Sequence, residues 1–554
     1  MLTKNRPLHG IPILVKVGFP SVASYQHHLN LDRIILQLKT KWIIQVLNSC
    51  ICYRIPLTQA AGSYALRGAT VSREATVVSK LRDAGAIVLG KATMGEWAQM
   101  RSRKASSSHG WSAYGGQGHG AYYPLQDPHG SSSGSAVAVS VGLALGSLAT
   151  ETSGSIVNPA ERNNVVGIKP TLGLTSRSKV IPISLRQDTV GPIARTVTDA
   201  AYLLTAMAGK DKFDNWTSTQ PFEEPPNYVE ACRFPALRGA RIGIPRNGID
   251  YFLGNTTAPI MSAFENALQV IHHAGATITD PANFPSFDVP SLSRNSSIVL
   301  DTDFVAGLSD YLSSLVSNPN GLHSLHDITQ YTMNDPREEY PNRDTYVWDR
   351  ELDRNITNSS PESFQAYQAN LRMAEEEGVL GALDKYNLDA LIMPTFASFH
   401  LPAIAGLPVI TVPLGFYPAD TLVVMNPKGT MVSVGPGIPF GIAFLGRRWS
   451  EEMLIGLAYA FEQRTMVKRA RKPLISPSFE LGDLRAGVAG ATYMIQTSPT
   501  QEYTAEQPFL DQTVPTSSNG YSTMRQWTSL LRRFFALVGD SSRWNVRSLW
   551  ICGL

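Results

Sequence analysis

Cysteine is scarce in this chain: there are four among 554 residues, Cys50, Cys52, Cys232 and Cys552. They are too few and too scattered for a disulfide framework. Cys50-x-Cys52 offers half of a metal site, but no second pair or nearby histidine completes the four ligands a structural metal demands. No metal and no cofactor is therefore expected. An excess of one charge is also lacking. The 48 Lys and Arg nearly balance 45 Asp and Glu, for a net charge of +3, which argues against a basic groove and against nucleic acid as the main partner. No uncharged apolar run reaches the ~18 residues of a membrane span. The opening "MLTKNRPLHGIPILVK" lacks the apolar stretch of a signal peptide. These absences predict a cytoplasmic chain with no clear membrane segment.

What is present is a large core and a rhythm. Hydrophobic residues make up 43% and charged residues 17%, the balance of a globular protein. "EATVVSKLRDAG", from Glu74, places Val77, Val78 and Leu81 on one helical face and closes on Gly85. "AIVLG" follows as a short buried strand. Residues 134–149 are small and weakly polar, and read as a helix packed closely on a sheet. "NVVGIKPTLGLTS" supplies a strand, and a helix runs from near Thr198-Asp199 to Gly209. Residues 211–228 read as a surface crossing and 281–360 as a less periodic region rich in Asn, Ser, Asp and Pro. "GARIGIPR", "LDALIMPT", "AGLPVITVPLGF" and "PFGIAFLGRRWSEEMLIGLAYAFEQRT" carry the alternation to the end. It predicts an α/β fold: one large domain whose central mixed β-sheet is flanked by helices on both faces. Residues 17–58 and the Thr-, Ser- and Gln-rich residues 485–554 do not follow it.

Two serine–glycine clusters bracket the small-residue run: "PHGSSSGS" (Pro128–Ser135) and "ETSGSIVNPA" (Glu151–Ala160). A serine hydroxyl is a weak nucleophile that needs a base within hydrogen-bond reach and N–H donors aimed at the developing oxyanion. The tight turn Thr152-Ser153-Gly154-Ser155 can present successive N–H groups beside a serine, as a nest does. A lysine kept neutral by burial can replace histidine as the base. Three lysines end apolar runs, Lys16, Lys91 and Lys169, and each could instead carry its charge out to the surface.

"GIPILVK", "GSSSGSAVAVSVGLALGSLATETSGSIVNPA" and "VGIKPTLGLTSR" together resemble the amidase signature family, serine hydrolases of carboxamides. The flanks "VSKLRDAGAIVLGKATMGEWA" and "DTVGPIARTVTDAA" resemble it too, and the nearest flavour is the fungal-type branch. The resemblance spans residues 7–16 and 60–483. It implies a Ser–cis-Ser–Lys triad: Ser155 as nucleophile, Ser131, 24 positions earlier, as the bridging serine, and Lys16 as the terminal base. A cis peptide is expected at Gly130–Ser131 or at a bond beside it. The oxyanion hole maps to the backbone of Thr152, Ser153, Gly154 and Ser155. The implied activity is hydrolysis of a carboxamide C–N bond of a small molecule through an acyl-Ser155 intermediate, in amide catabolism or secondary-metabolite tailoring. Domain bounds follow as 1–484 for the amidase domain and 485–554 for a low-pattern tail. The implied partner is a small-molecule amide, with a homodimer as the expected assembly.

The chain departs from the family pattern in places. Val17-Gly18-Phe19 follow Lys16 where the family continues with Asp-Asn, and residues 17–58 form an atypical insertion of the kind a misplaced exon boundary produces. The helices usual before "PLHGIP" are missing, so the start is expected to be truncated. Ser153 stands where this branch often has Asp, Val157 where many members have Arg, and His129 where a glycine is usual. Alternative readings are a glutaminase component of the A type from an amidotransferase and a catalytically inactive amidase-like protein. The substrate pocket is expected between about Asn295 and Pro408, with Leu407 as an apolar wall, and His119 and His129 as either pocket or surface-loop residues.

Overall fold

The computed structural model describes residues 6–16, 18, 21–22, 56–57, 60–103 and 106–475, all within one compact unit, residues 1–484. Nearly all of the segment 17–58, the whole of 485–554, and Cys50, Cys52 and Cys552 lie outside the described residues.

A ten-stranded mixed sheet organises this unit. In chain order its strands are β1 (Pro12–Lys16), β2 (Ile87–Ala92), β3 (Gly146–Glu151), β4 (Val166–Lys169), β5 (Thr189–Ala194), β6 (Arg241–Gly243), β7 (Thr277–Thr279), β8 (Ala390–Pro394), β9 (Val409–Phe416) and β10 (Pro439–Leu445). Their order across the sheet is β7-β6-β8-β10-β9-β4-β5-β3-β1-β2. β1 runs parallel to both β2 and β3, whereas β5 is antiparallel to β3. Strands β5, β8 and β10 are buried along their whole length, as expected of strands covered on both faces. The predicted architecture is therefore the observed one.

The sheet places the site through one consequence of its topology. β1 and β3 are parallel neighbours, so Lys16 and Glu151, their last residues, emerge at the same edge. Ligand sites of open α/β sheets sit at the carboxyl ends of strands. The small residues between β1 and β3 serve this packing. Gly134 lies in α1 (Ser133–Ser140), and a Cβ there would lie 2.5 Å from Thr93 O.

One expectation is corrected. The helix expected over 134–149 covers only Ser133–Ser140; β3 has begun by Gly146. Gly142, at φ +83°, takes the left-handed conformation that ends helices. The less periodic region 281–360 nevertheless holds a helix, from Val289 to Ser313. Its pattern is masked by buried acids: Asp301 accepts from Arg350 at 2.6 Å and also pairs with Arg354, so polar residues occupy inward positions. The crossing 211–228 is pinned by Asp214, which accepts from Arg177 Nε at 2.9 Å and Nη2 at 2.8 Å.

Candidate active site

Lys16 is fully buried at the end of β1. Its Nζ donates to Ser131 Oγ, Ser132 Oγ and Thr150 Oγ1, each at 2.8 Å, and to Thr150 O at 3.3 Å. Burial disfavours the ammonium and lowers its pKa to about 7, against the opposing pull of Asp188 and Glu151. The other two lysines are buried as well. Lys91 stands opposite Val15 in the β1–β2 pairing, so its side chain lies on the opposite face from Lys16. Lys169 donates to Leu407 O at 2.7 Å and Pro170 O at 3.3 Å, and burial lowers it to about 8. None of the three reaches the surface, and Lys16 is the one beside the serines.

The two serine clusters meet. The Ser132 N–H donates to Ser155 O at 3.2 Å and the Gly95 N–H to Ser131 O at 3.0 Å, and the Gly130–Ser131 peptide is cis. Ser131 and Ser132 are completely buried, while Ser155 keeps 8% of its surface.

Glu151 builds the turn that carries Ser155. One carboxylate oxygen accepts from Gly154 N at 2.9 Å; the other accepts from Ile156 N at 2.7 Å and Val157 N at 3.0 Å. The Gly154 N–H, one of the four mapped to an oxyanion, thus points back to Glu151. Gly154 sits at φ +80°, where a Cβ would lie 2.5 Å from Asn158 Nδ2 and 3.0 Å from Phe399 Cδ2. Burial raises the pKa of Glu151. Asp188 accepts from Thr152 Oγ1 at 2.6 Å and from the N–H groups of Ile183 and Ser184, and burial pushes it up to about 6. These two acids face Lys16 where the expected Asp after the lysine is missing.

Sequence reasoning did not pick out Ser132, Thr150, Glu151 or Asp188. The family spacing took Ser131 from the "SSS" run and gave Ser132 no role, and Asp188 lies far along the chain from Lys16, in the loop before β5. Glu151 did carry a signal, because an acid that opens a glycine turn can accept several N–H groups.

Ser153, the exposed member of the turn, borders a cleft lined also by Gln187, Phe252, Leu292, Leu300, His400 and Ile404. The His400 ring stacks on Phe252 with centroids 5.0 Å apart. Part of this wall falls within the expected 295–408 window. Leu407 does not line the cleft but is fully buried in the main core. His129 is a loop residue at φ +54° whose pKa burial and Arg162 lower to about 3. His119 is half-buried, and burial lowers its pKa as well. Among the described residues no helix is long and apolar enough to cross a membrane.

Known proteins resemble this chain over most of its length. Residues 49–455 match the model of the Amidase family; they contain both serines, and the fold adds Lys16 from outside that span. A protein of the fungus Arthroderma benhamiae classed as an amidase is 49% identical over 425 residues, 77% of this chain and 71% of its own length. The crystal structure of the peptide amidase of Stenotrophomonas maltophilia superposes with a TM-score of 0.69 at 34% identity, covering 85% of this chain and 86% of its own. The A-type component of the glutamyl-tRNA(Gln) amidotransferase of Moorella thermoacetica is 28% identical, over 72% of this chain and 78% of its own.

Proposed function

Because the chain belongs to the amidase family and is a hydrolase of amide carbon–nitrogen bonds, we propose that Ser155 is its nucleophile, Ser131 the bridging acid–base and Lys16 the terminal base. The observation that carries this reading is the buried contact of Lys16 Nζ with Ser131 Oγ at 2.8 Å. The hydrogen bonds also favour Ser131 over its neighbour. Ser132 Oγ donates to Thr150 O at 3.1 Å, so towards Lys16 it acts as an acceptor. The neutral amine then has two N–H groups for Ser132 and Thr150 and a lone pair to receive the Ser131 proton.

In the proposed reaction Ser155 Oγ attacks the amide carbonyl while its proton passes to Ser131, whose own proton passes to Lys16. The carbonyl π electrons move to oxygen, and the N–H groups of Thr152, Ser153 and Ser155 serve the oxyanion, with that of Gly154 held by Glu151. Returning the proton along the relay to the leaving nitrogen breaks the C–N bond and frees the amine or ammonia. Water, deprotonated by the same relay, then releases the carboxylate from Ser155. We assign this hydrolase domain to residues 1–484.

The substrate class is a small uncharged carboxamide with an apolar acyl portion, a peptide amide included. The apolar side chains of Phe252, Leu292, Leu300 and Ile404 in the cleft beside Ser153, and the likeness to a peptide amidase, support it. The higher identity to the fungal amidase than to the amidotransferase component favours hydrolysis to ammonia over its transfer. Fluorophosphonate labelling with peptide mass spectrometry tests the assignment. The label is expected on Ser155, to be absent from Ser155→Ala and to be strongly slowed in Lys16→Ala; labelling elsewhere would overturn it.

A further inference from the structure

The sequence reading assigns no metal to this chain, yet the fold gathers three ligand-type side chains beside the serine loop. His109, Asp127 and His129 each present one ligating atom, all within 4.8 Å of one another. His109 Nδ1 lies 2.8 and 3.0 Å from the two oxygens of Asp127, and the two histidine rings have centroids 5.0 Å apart. Asp127 is buried, whereas the His109 side chain is 41% exposed and leaves a path from solvent. His129 is fixed from its backbone: its N–H donates to Asp127 Oδ1 at 2.9 Å, and its carbonyl accepts from Ser133 Oγ.

We propose that His109, Asp127 and His129 bind one divalent transition-metal ion of the zinc class. Two imidazoles and one carboxylate are the mixed nitrogen–oxygen set such ions take, while magnesium and calcium favour oxygen alone. Three protein ligands leave the fourth tetrahedral position to water. A tautomer change, moving the His109 proton from Nδ1 to Nε2, exchanges the hydrogen bond to Asp127 for a bond to the ion. Arg162 also lies near His129 and opposes a cation; its guanidinium is turned to Ser433 O, and the Asp127 carboxylate offsets it. None of the three ligands lines the cleft, so the ion does not meet the amide. It fastens the loop that leads, two residues beyond His129, to Ser131.

Calorimetric titration of the untagged full chain with Zn(II), and the visible absorption of added Co(II), test the site. His109→Gln changes a partly exposed side chain, and His129→Gly suits the left-handed φ of +54° at that position, so both variants are expected to fold. One equivalent should bind the natural chain, resist an equal concentration of Mg(II), and weaken by more than about tenfold in each variant, the least that even the loss of a ligand's own hydrogen-bond partner costs. No binding would overturn the proposal, and displacement by Mg(II) would overturn the class of ion. Equal affinity in the natural chain and both variants would also overturn it, by assigning the ion to other residues such as Cys50 and Cys52.

Discussion

Lys16 Nζ and Ser131 Oγ lie 2.8 Å apart although 115 residues separate them in the chain, and neither residue is accessible to solvent. Strand β1 alone brings the lysine there, by pairing in parallel with β2 and β3. A cation so enclosed is costly, and three surrounding hydroxyls offset only part of its lost hydration.

Replacing the lysine separates these two consequences. Lys16→Met keeps the length and removes both the base and the buried charge. Loss of a positioned general base predicts a fall in kcat/KM of about 10²- to 10⁴-fold, with a melting temperature unchanged or raised at pH 6. Steady-state kinetics on an acyl amide and calorimetric melting check the two. Activity near that of the natural chain would remove Lys16 from the relay.

The pH dependence follows from the same lysine. Its pKa is lowered to about 7, and only the neutral amine accepts a proton. The rate of fluorophosphonate labelling should therefore rise with pH, by about tenfold per unit below 7, and level off above it. Stability should move in the same sense. Between about 7 and the ordinary lysine value of 10.5 the unfolded chain binds the proton that the folded chain has released, so unfolding becomes harder as pH rises. Below about 7 the penalty is fully present. The melting advantage of Lys16→Met over the natural chain should be largest at pH 6 and shrink towards pH 10.

Sequence alone made much of this arrangement legible. The strand and helix rhythm gave the mixed sheet, because apolar runs bounded by glycine leave few alternatives. The three lysines show where residue patterning stopped: each follows an apolar run and each is buried, so that Lys16 is set apart from Lys91 and Lys169 only by the family resemblance in the sequence and by strand pairing in the fold. The family spacing singled out Ser131 over Ser132, while the physical difference, the hydrogen bond from Ser132 Oγ to Thr150 O, is visible only in the fold. The long helix Val289–Ser313 was hidden because Asp301 and Asp303 occupy inward positions and are matched by arginines far from them in the chain.

Glu151 offers a test of the turn independent of the relay. Its two oxygens accept three backbone N–H groups. Glu151→Gln keeps one acceptor and turns a donor toward N–H groups. Leaving one or two buried N–H groups unpaired costs about 1–3 kcal/mol each, so the melting temperature should drop. kcat should fall more than KM rises, because the turn presents Ser155 and the oxyanion donors rather than the cleft wall. Unchanged labelling of Ser155 in this variant would show that the turn holds its shape without the carboxylate.

Gly154 carries the sharpest prediction about that turn, because a control residue exists elsewhere in the fold. Gly154 and Gly239 have nearly the same left-handed φ, +80° and +77°. Alanine at either position meets the same backbone penalty, about 1–2 kcal/mol. At Gly239 no atom lies within 4 Å of the new Cβ, whereas at Gly154 it would press on Asn158 Nδ2 at 2.5 Å and on the Phe399 ring at 3.0 Å. Phe399 packs against His400, with centroids 4.1 Å apart, and His400 lines the cleft, so the strain passes from the turn to the substrate wall. Gly239→Ala should lower the melting temperature and leave labelling and kcat/KM unchanged. Gly154→Ala should lower it further and reduce both by about a hundredfold or more, as expected when a positioned nucleophile is displaced by about 1 Å. If the two variants lose activity in proportion to their stability alone, the Ser155 turn is not the part of the molecule that the reaction depends on.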